Sequence, residues 1–135
     1  MRSYDLVESA DVPMLCKSEI DEIKRLVNTL PNNPIVVIIG AGVGAASLAM
    51  LEEQEDIVIF SIDSQFPVKQ PMYQPGERAN LIEAGYWELG GVIQVWGESQ
   101  IVGKHWPVEC DWLFVDGDHR YDAVRRDAEL WIDTV

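Results

Sequence analysis

Residues 35–44 read IVVIIGAGVG, and this stretch decides the fold of the 135-residue chain. Five β-branched side chains run without interruption from Ile35 to Ile39, which is typical of a strand buried on both faces of a parallel sheet. Gly40 ends the run, and the small apolar residues of VGAASLAMLEE then predict a helix. The stretch therefore predicts a strand, a tight glycine turn and a helix in direct succession.

The same alternation continues toward the C-terminus. Apolar runs predict three more strands, at DIVIFSID (56–63), GGVIQVWG (90–97) and DWLFVDG (111–117). Helices are predicted after them, at ERANLIEAGYW (77–87), ESQIVGKHW (98–106) and YDAVRRDAELWIDTV (121–135). In the last helix the apolar positions are Tyr121, Val124, Ala128 and Trp131. Four strands alternating with helices predict an α/β protein with a parallel sheet and helices on both faces.

The N-terminal part differs from this core, which is predicted to cover 35–135. Residues 1–17 are expected to form an irregular lead-in. SEIDEIKRLVNTL (18–30) predicts an amphipathic helix, with Ser18 as its cap and Asp21 in the capping-box position. The length of the chain fits a single domain, 1–135.

Four strand ends carry the candidate site. Gly40, Asp63, Gly97 and Asp116 each end a predicted strand, and parallel strands bring such positions to one rim, where ligands of α/β sheets bind. The loop with Gly42 favours close approach of the backbone to a ligand, and an acid 23 residues after Gly40 can hold both hydroxyls of a ribose. Together they predict an adenosine-type cofactor. They do not separate a nicotinamide dinucleotide from S-adenosylmethionine.

Composition narrows the class of partner. The formal net charge is -13, a field that repels phosphate backbones and argues against nucleic acid as a partner. That charge keeps a protein in solution, and it also suits a metal ion or a cationic cofactor. Cys16 and Cys110 stand 94 positions apart without a metal-ligand pattern. No apolar run is long enough for a signal or membrane segment, so we expect no membrane association and a cytoplasmic location.

Two further segments carry a family resemblance. GES (97–99) follows the third strand, and FVDGDHRYDAVRRDAELW (114–131) joins the fourth strand to the last helix. With the glycine loop, these segments resemble the class I S-adenosylmethionine-dependent methyltransferases, in the branch with an Asp-Gly-Asp-His turn after strand 4. The resemblance covers about residues 18–134 and implies a Rossmann-like sheet of strand order 3-2-1-4.

The resemblance implies a role for each matching residue. The glycines of the loop would lie against the methionine part of the cofactor, Asp63 would bind the ribose, and Gly97 and Ser99 would lie near the adenine. Asp116 would face the sulfonium or a magnesium ion. Asp118 and His119 would line the acceptor side, with His119 as the candidate base and Asp118 as a second metal ligand. The loop positions concerned are Gly40, Gly42 and Gly44.

The same turn has a structural alternative, in which Asp118 caps the last helix and His119 bonds to the turn backbone. The chain also departs from the family twice. Ile38 stands where members often carry an acid, and the sequence ends at Val135, where members continue with further strands. We therefore expect a C-terminally truncated fold whose apolar strand 4 is an exposed edge, and a homodimer through that strand and the last helix.

Three functions remain open at this point. The first is an S-adenosylmethionine-dependent methyltransferase that a second chain completes, with O-methyl transfer aided by a divalent cation as one form of this function. The second is a cofactor-binding or interaction module without methyl transfer. The third is a nicotinamide dinucleotide-binding domain, which fits less well because it gives no use to Asp116 or to the GES segment.

Overall fold

A computed structural model describes residues 2–9, 15–64, 76–116 and 121–135 of the chain. Four parallel strands, β1 (Ile35–Ile39), β2 (Val58–Asp63), β3 (Val92–Trp96) and β4 (Trp112–Val115), form one sheet in the order β3-β2-β1-β4. The predicted fold class and strand order are confirmed. The run of β-branched residues forms β1, which lies inside the sheet between β2 and β4.

Six helices and three short 3₁₀ turns surround the sheet among the described residues. The helices are α1 (Ser3–Ser9), α2 (Lys17–Val27), α3 (Ala45–Glu53), α4 (Glu77–Ala84), α5 (Ser99–Val102) and α6 (Tyr121–Trp131). The turns span Trp87–Leu89, Gly103–His105 and Ile132–Thr134. None of the described helices combines the length and apolar character that crossing a membrane requires.

Alternate residues of β1 enter two separate cores, which explains why the strand is apolar throughout. Val36 and Ile38 join the core that holds the buried faces of α2 and α3, while Val37 and Ile39 join the core that holds Trp131 of α6. In the second core the ring of Trp106 lies 5.3 Å from that of Trp131 and 5.1 Å from that of Phe60, between ring centroids. Helices therefore cover both faces of the sheet, as predicted.

The N-terminal region corrects two expectations. Residues 3–9 form helix α1 instead of an irregular lead-in, and Leu6 is buried in the first core. The next helix begins at Lys17, so Ser18 lies inside it and is not the cap. The backbone N–H of Cys16 donates to Glu19 Oε1 at 3.1 Å, because the longer glutamate side chain reaches back three residues as the capping box requires.

The last helix presents a different face from the predicted one. Ala123, Asp127 and Trp131 are its buried residues, whereas Val124 is 39% exposed. The helix turns this way because Asp127 and Trp131 both bond to α5, as described below. Trp131 is therefore covered by the chain's own second core, whereas Val124 stays exposed. The homodimer through β4 and the last helix stays a prediction.

Candidate cofactor site

The C-terminal ends of the four strands meet at one rim, and backbone hydrogen bonds hold them in register. Gly40 N–H donates to the Ile62 carbonyl at 2.9 Å, and Gly97 N–H donates to the Asp63 carbonyl at 3.2 Å. Asp116 N–H donates to the carbonyl of Ile39 at 2.7 Å. The four predicted strand-end residues therefore lie along the same edge.

The glycine loop has a backbone that only glycine adopts readily. Gly40, Gly42 and Gly44 have φ values of 94°, 53° and 89°, all in the left-handed region. Gly44 N–H donates to the Ala41 carbonyl at 3.0 Å, and Leu48 N–H then donates to the Gly44 carbonyl at 2.9 Å as α3 begins. The loop thus delivers the N-terminus of α3 to the rim, where unpaired backbone N–H groups favour negative or polar ligand atoms.

Asp63 is tied directly to this loop. Its Oδ2 accepts a hydrogen bond from the Ala41 N–H at 2.9 Å, across 22 residues of sequence. The bond fixes the carboxyl group at the junction of β1 and β2, the position from which Asp63 is predicted to bind a ribose.

A shallow cleft, open to solvent, lies above the loop. Its walls come from the glycine loop, from Asp116 at the end of β4, and from apolar residues of the N-terminal region, Leu6, Val7 and Leu15. The sequence prediction missed this apolar wall, because a helix of seven residues shows too little periodicity to be recognised.

Ser99 lies at the start of α5, next to Gly97, and bonds to the last helix. Its hydroxyl donates to Asp127 Oδ1 at 2.5 Å, and its carbonyl accepts from the Trp131 indole N–H at 3.0 Å. A hydroxyl that donates one hydrogen bond keeps the capacity to accept another. The structure therefore gives Ser99 an anchoring contact that the sequence did not predict.

Glu77 is the second residue that sequence reasoning missed. It is only 2% exposed, and its Oε2 accepts from the hydroxyls of Ser47 at 2.7 Å and Ser61 at 2.9 Å. Its Oε1 accepts from Gln94 Nε2 at 3.0 Å. Burial raises the pKa of the Glu77 carboxyl above its ordinary value, the three hydrogen bonds oppose that rise, and the nearby charge of Asp63 adds to it. In sequence Glu77 resembles an ordinary acid in the first turn of a helix.

Comparison with known proteins identifies this arrangement. The sequence profile of a methyltransferase domain family matches residues 37–135, which is most of the chain. The chain belongs to this methyltransferase family. The match includes the glycine loop, both acidic strand ends and the last helix, so it confirms the resemblance to class I S-adenosylmethionine-dependent methyltransferases.

Solved methyltransferase structures share the fold of this domain. A Podospora anserina methyltransferase bound to S-adenosylhomocysteine superimposes with a TM-score of 0.74 at 17% identity, over 98% of this chain and 54% of its own. A candidate caffeoyl-CoA O-methyltransferase from Staphylococcus aureus gives 0.73 at 19% identity, over 96% and 58%. An S-adenosylmethionine-dependent O-methyltransferase from Thermotoga maritima gives 0.64 at 10% identity, over 98% and 56%.

At these identities the similarity establishes the fold of the methyltransferase domain. The chain spans just over half the length of each of these three structures. No curated protein matches the sequence at a significant level.

The predicted metal and acceptor side of the methyltransferase site is only partly described. Asp116 is half-buried at the end of β4 and lines the cleft, while Asp118 and His119 lie outside the described residues. Within residues 2–9, 15–64, 76–116 and 121–135, no group of three or more His, Cys, Asp or Glu side chains could hold a metal ion. The roles of Asp116, Asp118 and His119 in metal binding and proton transfer remain predictions.

The departure at Ile38 has a structural reason in this methyltransferase domain. Ile38 is 1% exposed and packs in the first core, in the strand just before the loop. An acid here would have to face the cofactor from a buried position, and this chain uses the position for packing instead.

Proposed function

We propose that the chain binds S-adenosylmethionine at the C-terminal rim of its sheet and forms the cofactor side of a methyltransferase site. The observation that carries the proposal is the bond between Asp63 and the Ala41 N–H, which joins an acidic strand end to a loop of three left-handed glycines. The S-adenosylhomocysteine bound to the Podospora anserina structure of the same fold supports this choice of cofactor.

The residues at the rim suit the three parts of that cofactor. The loop backbone at Gly40, Gly42 and Gly44 offers close approach to the methionine part, and the carboxyl group of Asp63 accepts the ribose hydroxyls. Near the adenine, the backbone of Gly97 would lie against the ring, and the Ser99 oxygen would accept a hydrogen bond from the adenine amino group. Each role uses the chemistry that the residue already has in this geometry.

For methyl transfer, we propose that Asp116 faces the reacting centre from the end of β4. Bound S-adenosylmethionine supplies an electrophilic methyl group on a positively charged sulfur. A carboxylate beside that charge favours binding of the cationic cofactor over its neutral product. His119 would accept the acceptor's proton, and Asp116 with Asp118 would hold a magnesium ion through oxygen ligands, for O-methyl transfer.

The cofactor proposal is tested by calorimetric titration with S-adenosylhomocysteine, with and without magnesium, and with NADH as the competing ligand. We expect S-adenosylhomocysteine to bind with a dissociation constant in the micromolar range or weaker. A dissociation constant of about 1 mM corresponds to a binding free energy of roughly -4 kcal/mol. Binding of NADH without binding of S-adenosylhomocysteine would replace the proposal with the dinucleotide alternative. Binding without methyl transfer to any phenol or catechol acceptor would favour the non-catalytic module.

We also propose that a second copy of the chain covers β4. This strand is an edge of the described sheet, and such an edge leaves backbone N–H and C=O groups available for pairing. Sedimentation at low micromolar concentration tests the homodimer, and a monomer with rapid amide exchange in β4 would exclude it. A Phe114→Lys change is a poor probe of this edge, because Phe114 packs against the first core and stacks edge-on with Trp112 at 5.8 Å.

A further inference from the structure

Glu77 packs against the glycine loop and is not part of the lining of the cleft. Among the described residues that line the cleft, the loop contributes Gly40, Ala41, Gly42 and Val43, and Glu77 is not one of them. At 2% exposure, its side chain is not open to a ligand in the cleft. A buried acid at this place therefore needs an explanation other than ligand binding.

The backbone of α4 touches the loop at its last glycine. A Cβ atom added to Gly44 would lie 2.9 Å from the Cα and 3.0 Å from the Cγ of Glu77. The loop and the first residue of α4 are thus in direct contact, with no room for a side chain between them. Any shift of Glu77 moves the surface on which Gly44 rests.

A second contact joins the same two elements one turn later. The side-chain amide of Asn80, which is 2% exposed, donates to the Val43 carbonyl at 2.8 Å. Because Val43 precedes Gly44, α4 holds two consecutive residues of the loop. The first turn of α4 therefore supports the segment of the loop that leads into α3.

The Glu77 carboxyl group fixes α4 in turn. Its three hydrogen bonds reach Ser47 on α3, Ser61 on β2 and Gln94 on β3, so a single side chain joins α4 to three other elements. A buried polar group whose bonds are all made specifies one arrangement, whereas loss of the group leaves its partners unsatisfied. The position of Gly44 is thereby tied to the sheet through Glu77.

We propose that Glu77 is a positioning residue for the glycine loop. It holds Val43 and Gly44 in the conformation that the methionine part of the cofactor requires. The identity of the ligand in this inference rests on the proposed function. The positioning of the loop rests on the contacts of α4 alone. The positioning role predicts that substitutions of Glu77 weaken binding of the amino-acid part of the cofactor and leave binding of the adenosine part unchanged.

The ligand test compares S-adenosylhomocysteine with 5′-methylthioadenosine, which keeps the adenine, ribose and thioether but lacks the amino-acid part. Glu77→Met, close in size but without acceptors, should weaken binding of S-adenosylhomocysteine about tenfold, the scale of one buried hydrogen bond. Its affinity for 5′-methylthioadenosine should stay unchanged. Glu77→Gln should bind both ligands as the wild type does, because a rotated Gln94 amide can satisfy the new side chain.

Two further variants separate positioning from general loss of stability. Val92→Ala removes buried volume at the start of β3, the opposite end of the sheet from the loop, and should leave both affinities unchanged. Ser61→Ala removes one of the three bonds to Glu77 and serves if Glu77→Met does not fold. The proposal would be overturned if Glu77→Met or Ser61→Ala weakened the binding of both ligands equally. It would also be overturned if these variants left the binding of both ligands unchanged.

Amide exchange in the ligand-free protein tests the structural part by itself. Exchange at Gly44 and Leu48, whose N–H groups bond within the loop and the first turn of α3, should quicken in Glu77→Met or Ser61→Ala but not in Val92→Ala. Unchanged exchange at both amides would refute the positioning role even if ligands bind. If the wild type binds neither ligand, the proposed function fails, and the exchange result alone decides for or against Glu77.

Discussion

The hydroxyl of Ser99 donates a hydrogen bond to the buried carboxyl group of Asp127, 28 residues further along the chain, at 2.5 Å. The indole N–H of Trp131 donates to the carbonyl of the same serine at 3.0 Å. Two bonds thus dock α6 on the first residue of α5, directly beside the predicted adenine position at Gly97. The last helix and the predicted cofactor side of the site are joined through one residue.

Asp127→Ala should destabilise the domain by about 1–3 kcal/mol, because it removes the hydrogen bond that the buried Asp127 carboxyl group accepts from Ser99. Asp127→Asn keeps an oxygen acceptor at the same place and should cost less. Urea unfolding measures both, with exposed Asp133→Ala as the control, which should lie within about 0.5 kcal/mol of wild type. A loss in Asp127→Ala no larger than that of the control would mean that the contact contributes nothing.

Gly44→Ala and Gly85→Ala form a matched pair. Both glycines have left-handed φ angles, 89° and 87°, but a Cβ at Gly85 meets nothing within 4 Å, whereas one at Gly44 meets the backbone of Glu77 at 2.9 Å. Gly85→Ala should therefore cost about 1–2 kcal/mol for its conformation alone. Gly44→Ala should cost about 1–3 kcal/mol more for the overlap. Equal losses in urea unfolding would contradict the close approach of α4 to the loop.

The stability of the domain should depend on pH through Glu77. Because burial raises the pKa of the folded carboxyl above its ordinary value of 4.5, the folded state holds the proton more tightly than the unfolded chain. The resulting stability is complete below the unfolded pKa and is lost as the pH rises through the folded pKa. As the pH rises above that ordinary value, wild type should therefore lose stability relative to Glu77→Gln, which cannot ionise. If the stability difference between the two proteins stays constant with pH, or grows in favour of wild type, the predicted direction of the pH dependence is contradicted.

Asp63→Ala should weaken binding of S-adenosylhomocysteine by at least about tenfold, since it removes the acceptor proposed for two ribose hydroxyls. Asp56→Ala is the matched control, because Asp56 is an exposed acid just before β2, at the far end of the same strand. The two variants change the net charge equally, so long-range electrostatics cancel in the comparison. Calorimetry that finds equal affinities for the two variants would remove Asp63 from the site.

The sheet could be predicted because its information is local. The unbroken run from Ile35 to Ile39 specifies a strand with two buried faces, and the positive φ angles of the loop match the glycines found there. The strand-end position of Asp63 follows from the same pattern.

The contacts around the site could not be predicted, since they depend on how distant elements pack. Glu77 is buried because α3, β2 and β3 each supply a polar partner, and no short stretch contains that information. Ser99 was predicted as a cofactor ligand, but its bond to Asp127 depends on the rotation of α6. Helix α1 is too short for its sequence to distinguish it from a loop.

The place of β1 within the sheet has a consequence for the newly made chain. Val36 pairs with Trp112, 76 residues later, and the backbone of Ile35 bonds on the same side to Asp111, which follows at a similar distance. During synthesis β1, β2 and β3 emerge first, while one edge of β1 stays without its partner until residues 111–115 have been made. Pairings so distant in sequence slow folding, because a long loop must close before the contact forms. The nascent chain therefore carries an open, strongly apolar strand until residues 111–115 have been made, and this strand is where we expect chaperones to bind.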